Sequence, residues 1–250
     1  MRQILRAAPR LSARVSAQAC GGILQQNGSQ QRQYSRTPTK PTSSWLPVPF
    51  VTETIGGMNH TTDLFSRLLK ERIVAVYGEV DDRMAATVTA SLLYLEADSD
   101  RPISMYINSP GGSVTAGLSI YDCMNYIVPE VSTLVLGQAA SMGSLLLAGG
   151  AAGKRYCLPH SSIMLHQPSG GYFGTAADIA IHAKEILRIR TQLNQIYERH
   201  LTGKKKMNLE EIEKMMERDY FLSAEEALEL GVVDEILASR KKASEQGEER

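Results

Sequence analysis

Residues 131–150 read VSTLVLGQAASMGSLLLAGG, and they indicate the fold more clearly than any other stretch of the chain. Val131 to Gly137 has the composition of a buried strand, and Ser141 to Ala148 predicts a helix of small and apolar residues. Ser141 therefore stands at a strand-to-helix junction. The first amides of a helix lack intrahelical partners and carry partial positive charge, so they could stabilise an oxyanion beside this serine. The position suits a nucleophile, but a serine at a helix start is more often only a cap, so a base and an acid elsewhere must decide.

Strands and helices alternate on both sides of this junction. Before it, two predicted strands and two predicted helices follow one another: Arg72 to Tyr77, Asp82 to Ala97, Ile103 to Asn108 and Val114 to Ile127. After it, Tyr156 to Leu158 and Ser162 to His166 have the pattern of two further short strands. Such alternation predicts an α/β fold with a parallel sheet and crossover connections.

The longest predicted element is a helix from Ala176 to His200, which begins at a capping-box arrangement of Thr175 and Asp178. At about 1.5 Å per residue it would be roughly 40 Å long, more than a compact domain of this size needs. We expect it to project and to pack on another subunit. Two shorter predicted helices, Leu209 to Arg218 and Ala224 to Leu230, precede a charged tail over residues 239–250.

The N-terminal segment differs in composition from the rest of the chain. Met1 to Thr52 contains seven basic residues and no acidic one, and residues 4, 8, 11 and 15 form an apolar helical stripe beside arginines spaced by four. This pattern is typical of a mitochondrial transit peptide, here with a linker over residues 1–45, and the sequence does not define the cleavage site. A basic arm for nucleic acid is the alternative, but it would not need the apolar stripe. We therefore expect the mature protein in the mitochondrial matrix.

Composition argues against several kinds of partner. Removal of the seven N-terminal basic residues leaves 20 of the 27 Lys and Arg residues against 27 Asp and Glu residues. A mildly acidic chain is not typical of nucleic-acid binding. No apolar run approaches the roughly 18 to 20 residues that span a bilayer, so no membrane partner is expected. The three cysteines form neither a CxxC pair nor a disulfide framework, which suits a reducing compartment.

Five histidines compete for the role of general base. His166 alone ends an apolar strand and opens onto a loop, QPSGG, so its ring could be held rigidly and still face a cleft. The other four lie in a loop, in a turn, or on the long helix: His60, His160, His182 and His200.

The acid is harder to choose from the residues alone. Asp219 lies between a predicted helix end and two bulky neighbours, Tyr220 and Phe221, which could exclude water from an Asp-His pair. An aspartate in a charged run is more often a surface residue. Asp178 and Asp234 remain rivals.

A second informative run, INSPGGSVTAG, extends from Ile107 to Gly117. Paired glycines permit positive φ and let backbone N–H groups approach a ligand closely, so Gly112 can supply an oxyanion donor. The run matches neither GxxxxGK[ST] nor GxGxxG, and no cofactor or metal site is expected.

Ser141 is not part of a GxSxG elbow, and the order Ser, His, Asp differs from the α/β-hydrolase, chymotrypsin and subtilisin orders.

Four runs together resemble the ClpP family of ATP-dependent serine peptidases in its mitochondrial form: GQAASMGSLLLAGG, INSPGGSVTAGLSIYD, IMLHQPSGG and ERDYFLSAEEALELGVVDEI. The resemblance implies a ClpP/crotonase-like α/β fold over residues 63–238, with repeated strand-helix units, a projecting handle helix and a compact head. It also implies a complete site: nucleophile Ser141, base His166, acid Asp219, and oxyanion donors on the backbone amides of Gly112 and Met142.

The resemblance further implies an assembly. Family members form two stacked seven-membered rings, and an AAA+ unfoldase of the ClpX type uses ATP to thread unfolded proteins through an axial pore. By this analogy residues 46–62 are the pore-loop segment, in which Thr54 to Thr62 has the composition of a mobile loop ahead of a folded body that begins near Asp63. Arg218 matches a position that contacts the opposite ring. The implied role is hydrolysis of unfolded proteins in mitochondrial protein quality control.

Three departures from the family pattern leave the catalytic residues intact. GGMNHTTD replaces a charged pore-loop stretch, HLTGKKKMNLEE is a few residues longer than usual, and Thr175 replaces a glutamine. Two alternative functions come from other classes of protein. A ring subunit without catalysis would lack part of the triad, and a crotonase-type acyl-CoA enzyme would need acid/base carboxylates that are not evident near the oxyanion turn.

Overall fold

The computed structural model describes residues 48–203 and 206–239. The predicted transit peptide and linker over residues 1–45 lies outside the described residues, as do residues 240–250 of the charged tail and Lys204 and Lys205 of the longer connection. The proposed divisions of the chain after residues 45, 62 and 238 stay predictions.

The described residues form nine strands and seven helices. The strands are β1 (Phe50–Ile55), β2 (Met58–Asp63), β3 (Ile73–Tyr77), β4 (Ile103–Ser109), β5 (Val131–Ala140), β6 (Arg155–Cys157), β7 (Ser162–Leu165), β8 (Tyr220–Leu222) and β9 (Glu235–Ile236). The helices are α1 (Leu64–Lys70), α2 (Asp82–Asp98), α3 (Val114–Tyr126), α4 (Met142–Ala148), α5 (Ala176–His200), α6 (Leu209–Met215) and α7 (Ala224–Leu230). The predicted mixed α/β fold with a mainly parallel sheet is confirmed.

A seven-stranded sheet forms the centre of the fold. Five of its strands pair in the order β3, β4, β5, β6 and β9, and all of these pairs are parallel. β5 has two neighbours on one side, because β6 pairs with Thr133–Val135 and β7 pairs with Gln138–Ala140. This second pairing extends β5 to Ala140, past the predicted strand end at Gly137. β8 then pairs antiparallel with β7, and neither β8 nor β9 was predicted, since each is only two or three residues long.

The core lies between this sheet and the helices packed on it. Val76, Ile107 and Val135 on three adjacent strands are completely buried, and every residue of α4 is buried. A helix that is apolar on all sides belongs in a protein interior. Ser141 immediately precedes this central helix, so its backbone is supported by well-packed structure.

The N-terminal part of the described chain corrects one prediction. Thr54 to Thr62 is not a mobile loop but most of an antiparallel hairpin, in which β1 and β2 pair from Phe50 and Asp63 to Ile55 and Met58. Gly56 and Gly57 form its turn with φ of 59° and 82°, a backbone region that favours glycine. Folded structure therefore begins well before the predicted start near Asp63, and the unpredicted helix α1 follows directly.

Helix α5 has the predicted bounds, Ala176–His200, and only its C-terminal half is buried. The buried residues are Leu193, Asn194, Ile196 and Tyr197, whereas Ile179, Ile181 and Leu187 are exposed. Thr175 caps the helix by accepting a hydrogen bond from the Asp178 amide at 3.3 Å, and its hydroxyl donates to the Asp178 carboxylate at 2.6 Å. The helix therefore extends well beyond the core of this chain.

Candidate active site

Ser141 lies at the turn from β5 into α4 with φ 54° and ψ −120°, a conformation that non-glycine residues rarely adopt. Its amide donates to the Met164 carbonyl at 2.8 Å, and its carbonyl accepts from the amides of Ser144 at 3.0 Å and Leu145 at 3.2 Å. Ser141 occupies the N-cap position of α4, but its side chain makes no capping hydrogen bond, so capping does not account for its hydroxyl. Strained backbone of this kind is found mainly at functional sites, where the surrounding structure maintains it.

The pairing of β5, β7 and β8 places the candidate base and acid beside Ser141. Ala140, the last residue of β5, is aligned with Met164 of β7, two residues before His166. Across β7 and β8, Leu165 is aligned with Tyr220, so the next residues outward are His166 and Asp219. Three strand ends therefore meet, and each contributes the side chain that directly precedes or follows it.

The three side chains form one chain of hydrogen bonds. His166 Nε2 lies 2.9 Å from Ser141 Oγ, and His166 Nδ1 lies 2.8 Å from Asp219 Oδ1. An ionised carboxylate can only accept, so Nδ1 donates to Asp219 and the neutral ring keeps Nε2 as an acceptor for the serine hydroxyl. This is the arrangement that a nucleophile, a general base and an orienting acid require.

The acid end of this chain of hydrogen bonds is open to solvent. The side chains of His166 and Asp219 are 24% and 59% exposed, and Tyr220 and Phe221 are exposed as well. The expectation that these two aromatic residues exclude water from the Asp-His pair is therefore wrong for the single chain. Hydrogen bonds from Gln167 instead hold the residues that precede Asp219. The Gln167 amide donates to the Met216 carbonyl at 2.7 Å, and Gln167 Nε2 donates to the Glu217 carbonyl at 2.8 Å. α6 ends at Met215 rather than at the predicted Arg218.

The two rival acids have other partners. Asp234 binds the buried guanidinium of Arg155, with Oδ1 2.5 Å from Nη2 and Oδ2 2.9 Å from Nε. Burial alone would raise the pKa of Asp234, but the hydrogen bonds and charge of Arg155 outweigh burial and lower it. Asp178 belongs to the cap of α5. Among the described residues, neither carboxylate forms a hydrogen bond or ion pair with a histidine.

Two of the remaining histidines also have partners away from Ser141. His200 Nε2 lies 2.7 Å from the Tyr121 hydroxyl, and burial together with the charges of Arg155 and Arg199 lowers the pKa of His200 to about 4. His182 stacks on Tyr172, with ring centroids 3.6 Å apart. General base catalysis needs a proton acceptor poised near neutral pH, and the lowered pKa of His200 makes it unsuitable for that role.

The glycine turn lies directly against the candidate nucleophile. A Cβ on Gly111 would be 2.6 Å from Ser141 Cβ and 3.0 Å from the Met142 nitrogen, and a Cβ on Gly112 would be 2.3 Å from the Val80 carbonyl oxygen. Only glycines, at φ of 91° and 151°, permit this approach. Within residues 48–203 and 206–239, neither the Gly112 nor the Met142 amide donates to a protein acceptor. Both amides are therefore without a protein acceptor, and their assignment as oxyanion donors stays a prediction.

A cleft of about 470 Å³ opens beside the base and the acid. It is lined by His166, Gln167, Ser169, Glu217, Arg218 and Asp219. His166 thus faces a cleft, as the loop after its strand suggested.

In the described parts of the chain no group of three or more His, Cys, Asp or Glu side chains is arranged to hold a metal ion. Over the same residues, no helix has the length and apolar composition that a membrane span requires.

The sequence patterns did not predict a role for three residues near Ser141, namely Gly111, Ser144 and Tyr197. Gly111 provides the close contact with Ser141, whereas the paired glycines suggested only the role of Gly112. Ser144 and Tyr197 form a buried hydroxyl pair under the Ser141 carbonyl. Ser144 is three residues after Ser141 on a predicted helix, which was a usable signal, but Tyr197 is 53 residues further along and had none.

A protein-family model described as Clp protease matches residues 56–240. The match spans more than half of the chain, from the turn of the β1–β2 hairpin to a point just beyond β9. It includes all of the candidate active-site residues. The mixed α/β architecture described above is consistent with the ClpP fold, so the predicted fold class is confirmed.

Proposed function

The chain belongs to the Clp protease family, and we propose that it is the proteolytic subunit of an ATP-dependent Clp-type protease. In this proposal it is a serine endopeptidase that hydrolyses peptide bonds of unfolded proteins. The observation that carries the proposal is the continuous path of hydrogen bonds from Ser141 through His166 to Asp219, with distances of 2.9 and 2.8 Å. This path starts at a strained serine that makes no capping hydrogen bond.

The first chemical step is attack of Ser141 Oγ on a peptide carbonyl. His166 Nε2 already lies within hydrogen-bond distance of this oxygen and accepts its proton as the new C–O bond forms. Asp219 accepts a hydrogen bond from Nδ1, which holds the ring in the productive tautomer and stabilises the imidazolium that results. No group outside this chain is needed for the proton transfer.

The negative charge that develops on the carbonyl oxygen is stabilised by the amides of Gly112 and Met142. Support for this role is the close packing of Gly111 against Ser141 and the Met142 nitrogen, which brings the glycine turn next to the start of α4. Preorganised donors of this kind contribute on the order of 3 kcal/mol each to transition-state stabilisation. Met142 is also the first residue of a helix, so its amide has no competing intrahelical acceptor.

Collapse of the tetrahedral intermediate leaves an acyl group on Ser141. His166 donates its proton to the departing amine, then takes a proton from a water molecule that attacks the acyl-enzyme. The same two amides bind the second oxyanion. The second intermediate then breaks its bond to Ser141 Oγ, which takes the proton from His166, so the acid product leaves and both residues regain their starting protonation states.

We further propose an assembly of two stacked heptameric rings that works with an AAA+ unfoldase of the ClpX type. Support comes from the exposed N-terminal half of α5, which carries Ile179, Ile181 and Leu187, and from the exposed acid end of the triad beside Arg218. The β1–β2 hairpin is the proposed pore segment. In this proposal the partner consumes ATP, and the chain itself needs no cofactor.

The proposed location is the mitochondrial matrix, with a role in protein quality control. Its support is the basic, acid-free segment over residues 1–52 with its apolar stripe. The two alternative functions are disfavoured by the site. A ring subunit without catalysis has no use for a completed triad, and an acyl-CoA enzyme of the crotonase type would leave the His166–Asp219 pair without a role.

Active-site labelling tests the proposed chemistry. The assembled protein is treated with a fluorophosphonate, and the adduct is mapped by mass spectrometry. We expect one adduct, on Ser141, and loss of both labelling and peptide hydrolysis in Ser141→Ala. Ser169→Ala is the matched control, because Ser169 lines the same cleft without belonging to the triad. An adduct on another residue, or full activity in Ser141→Ala, would contradict the mechanism.

Casein degradation with an added ClpX-type unfoldase and ATP tests the partner. We expect degradation only when both are present, whereas small peptides should be cleaved without them. A coenzyme A binding measurement on the same preparation separates this function from the acyl-CoA alternative. Binding of coenzyme A without any peptide hydrolysis would favour that alternative.

A further inference from the structure

A buried pair of hydroxyl groups lies directly beneath the Ser141 backbone. Ser144 Oγ is 2.7 Å from the Ser141 carbonyl oxygen, 2.8 Å from the Met164 carbonyl oxygen and 2.8 Å from the Tyr197 hydroxyl. Ser144 is completely buried, and Tyr197 is 2% exposed. The pair therefore joins three elements, α4, β7 and α5, at the point where the candidate nucleophile begins α4.

The number of hydrogens determines which group donates to which. A buried phenol needs an acceptor, and the two oxygens available to Tyr197 are Ser144 Oγ at 2.8 Å and the Ser141 carbonyl at 3.5 Å. The shorter contact is the stronger one, so Tyr197 donates to Ser144. Ser144 then has its single hydrogen free for the two carbonyls, Ser141 O and Met164 O, which can only accept. Burial raises the pKa of Tyr197, so the phenol keeps its proton throughout the neutral range.

Both of these carbonyls belong to backbone that sets the geometry of the triad. Met164 O also accepts the Ser141 amide at 2.8 Å, and Met164 is two residues before His166. Ser141 has the unfavourable φ of 54°, which persists only where several contacts maintain it. The hydroxyl of Ser144 is one of these contacts, and Tyr197 orients that hydroxyl from the far side.

We propose that Tyr197, acting through Ser144, is a positioning residue that maintains the reactive conformation of Ser141 and couples the buried half of α5 to it. Tyr197 touches neither substrate nor the reacting atoms, so its effect is on the placement of Ser141 Oγ and of the Met142 amide. The proposal rests on the proposed serine peptidase function. Through this contact, a displacement of α5 would change the reactivity of the nucleophile, although the exposed half of the helix is distant in sequence from Ser141.

The test compares two tyrosine hydroxyls in the same protein. Tyr197→Phe removes the hydroxyl that orients Ser144, and Tyr121→Phe removes a hydroxyl that lies 2.7 Å from His200 Nε2 and does not contact the Ser141 region. For each assembled variant we measure the rate constant of fluorophosphonate labelling at Ser141, kcat and KM for a small peptide, and the midpoint of thermal unfolding. We expect labelling and kcat to fall about tenfold in Tyr197→Phe with KM within about twofold of wild type, because small misplacements at a reacting centre are costly. Tyr121→Phe should keep wild-type labelling and kcat.

The double variant tests whether Tyr197 acts through Ser144. Ser144→Ala should lower the labelling rate at least as much as Tyr197→Phe, and Tyr197→Phe with Ser144→Ala should be no slower than Ser144→Ala alone. Should Tyr197→Phe fail to assemble, Ser144→Ala measured against Tyr121→Phe decides the question by the same readouts.

Three results would overturn the proposal: wild-type labelling in Tyr197→Phe or Ser144→Ala, equal losses of activity in Tyr197→Phe and Tyr121→Phe, or fully multiplicative losses in the double variant. Failure of the proposed function is recognised separately. In that case the wild-type protein itself is not labelled at Ser141, before any tyrosine variant is considered.

Discussion

Two polar pairs, His166–Asp219 and Arg155–Asp234, each join segments that are distant in the sequence, but they differ in their exposure to water. The side chains of His166 and Asp219 are 24% and 59% exposed, whereas those of Arg155 and Asp234 are 1% and 18% exposed. Arg155 also donates to the His200 carbonyl at 2.5 Å and to the Thr202 hydroxyl at 2.6 Å. The buried guanidinium therefore has protein acceptors on every side.

The difference indicates separate roles for similar contacts. A guanidinium does not lose its proton in a protein, so the Arg155 pair holds β6, the end of α5 and Asp234 in one fixed arrangement. The His166 pair is accessible to water, and in the proposed mechanism its histidine accepts and returns a proton in each catalytic cycle. We expect changes to the exposed pair to lower activity and changes to the buried pair to lower stability.

The largest effect is expected from Asp219→Asn. An amide in place of the carboxylate no longer fixes the His166 tautomer or stabilises its cation, and the corresponding change in the chymotrypsin triad lowers kcat by about 10⁴. Because Asp219 is exposed, the free energy of unfolding should change by less than about 0.5 kcal/mol. Peptide hydrolysis and denaturant unfolding measure the two quantities. Asp178→Asn is the control, and equal activity in both variants would remove Asp219 from the mechanism.

Arg155→Met should give the largest loss of stability. It leaves the largely buried Asp234 carboxylate without its partner, which typically costs about 3–5 kcal/mol of the free energy of unfolding. The double variant Arg155→Met with Asp234→Leu should recover most of that loss, since apolar replacement of both partners is often neutral. Urea unfolding of the assembled variants provides the measurement. A loss below about 1 kcal/mol in Arg155→Met would show that burial does not distinguish the two pairs.

His200, at the end of α5 and close to Arg155, should also give the protein a pH-dependent stability. The pKa of His200 is lowered to about 4 in the folded chain, against about 6.5 when unfolded. The unfolded state therefore binds the proton more readily, and the stabilising contribution is complete above about pH 6.5 and is lost as the pH falls toward 4. Because the ring is only partly buried, solvent screening keeps the size of this contribution below the roughly 3.4 kcal/mol that the two pKa values would give. Unfolding measured between pH 7 and 4 should show a smaller slope in His200→Gln, and an unchanged slope would contradict this assignment.

The smallest effect is expected at an exposed ion pair that has no catalytic role. Lys154 Nζ lies 2.5 Å from Glu130 Oε2, with side-chain exposures of 39% and 60%. Solvent screens exposed pairs, so Lys154→Ala should leave both the free energy of unfolding and kcat close to their wild-type values. A clear loss of stability in Lys154→Ala would mean that solvent exposure alone does not predict which ion pairs can be altered without destabilising the protein.

Much of the fold follows from local sequence patterns. The bounds of α5 and α7 agree with their capping residues and periodicity, and the strand-helix alternation from β3 to α4 was predicted to within a few residues. The errors occur where the structure depends on pairing between distant segments. Thr54 to Thr62 was interpreted as a loop because it contains Gly56 and Gly57, which form the turn of the β1–β2 hairpin. The three-residue strand β8 exists only because β7 lies beside it.

The sequence by itself determined the chemistry that is available: a serine between a strand and a helix, a histidine at a strand end, and a pair of glycines that permit close backbone approach. Local sequence patterns left three aspartates as candidates for the acid, and the resemblance to a family selected Asp219. Only the tertiary structure decided which groups meet. The register of β5, β7 and β8 places His166 between Ser141 and Asp219, burial directs Asp234 to Arg155, and the end of α5 places Tyr197 under the nucleophile. Contacts between residues tens of positions apart depend on how the whole chain packs, and no local pattern encodes them.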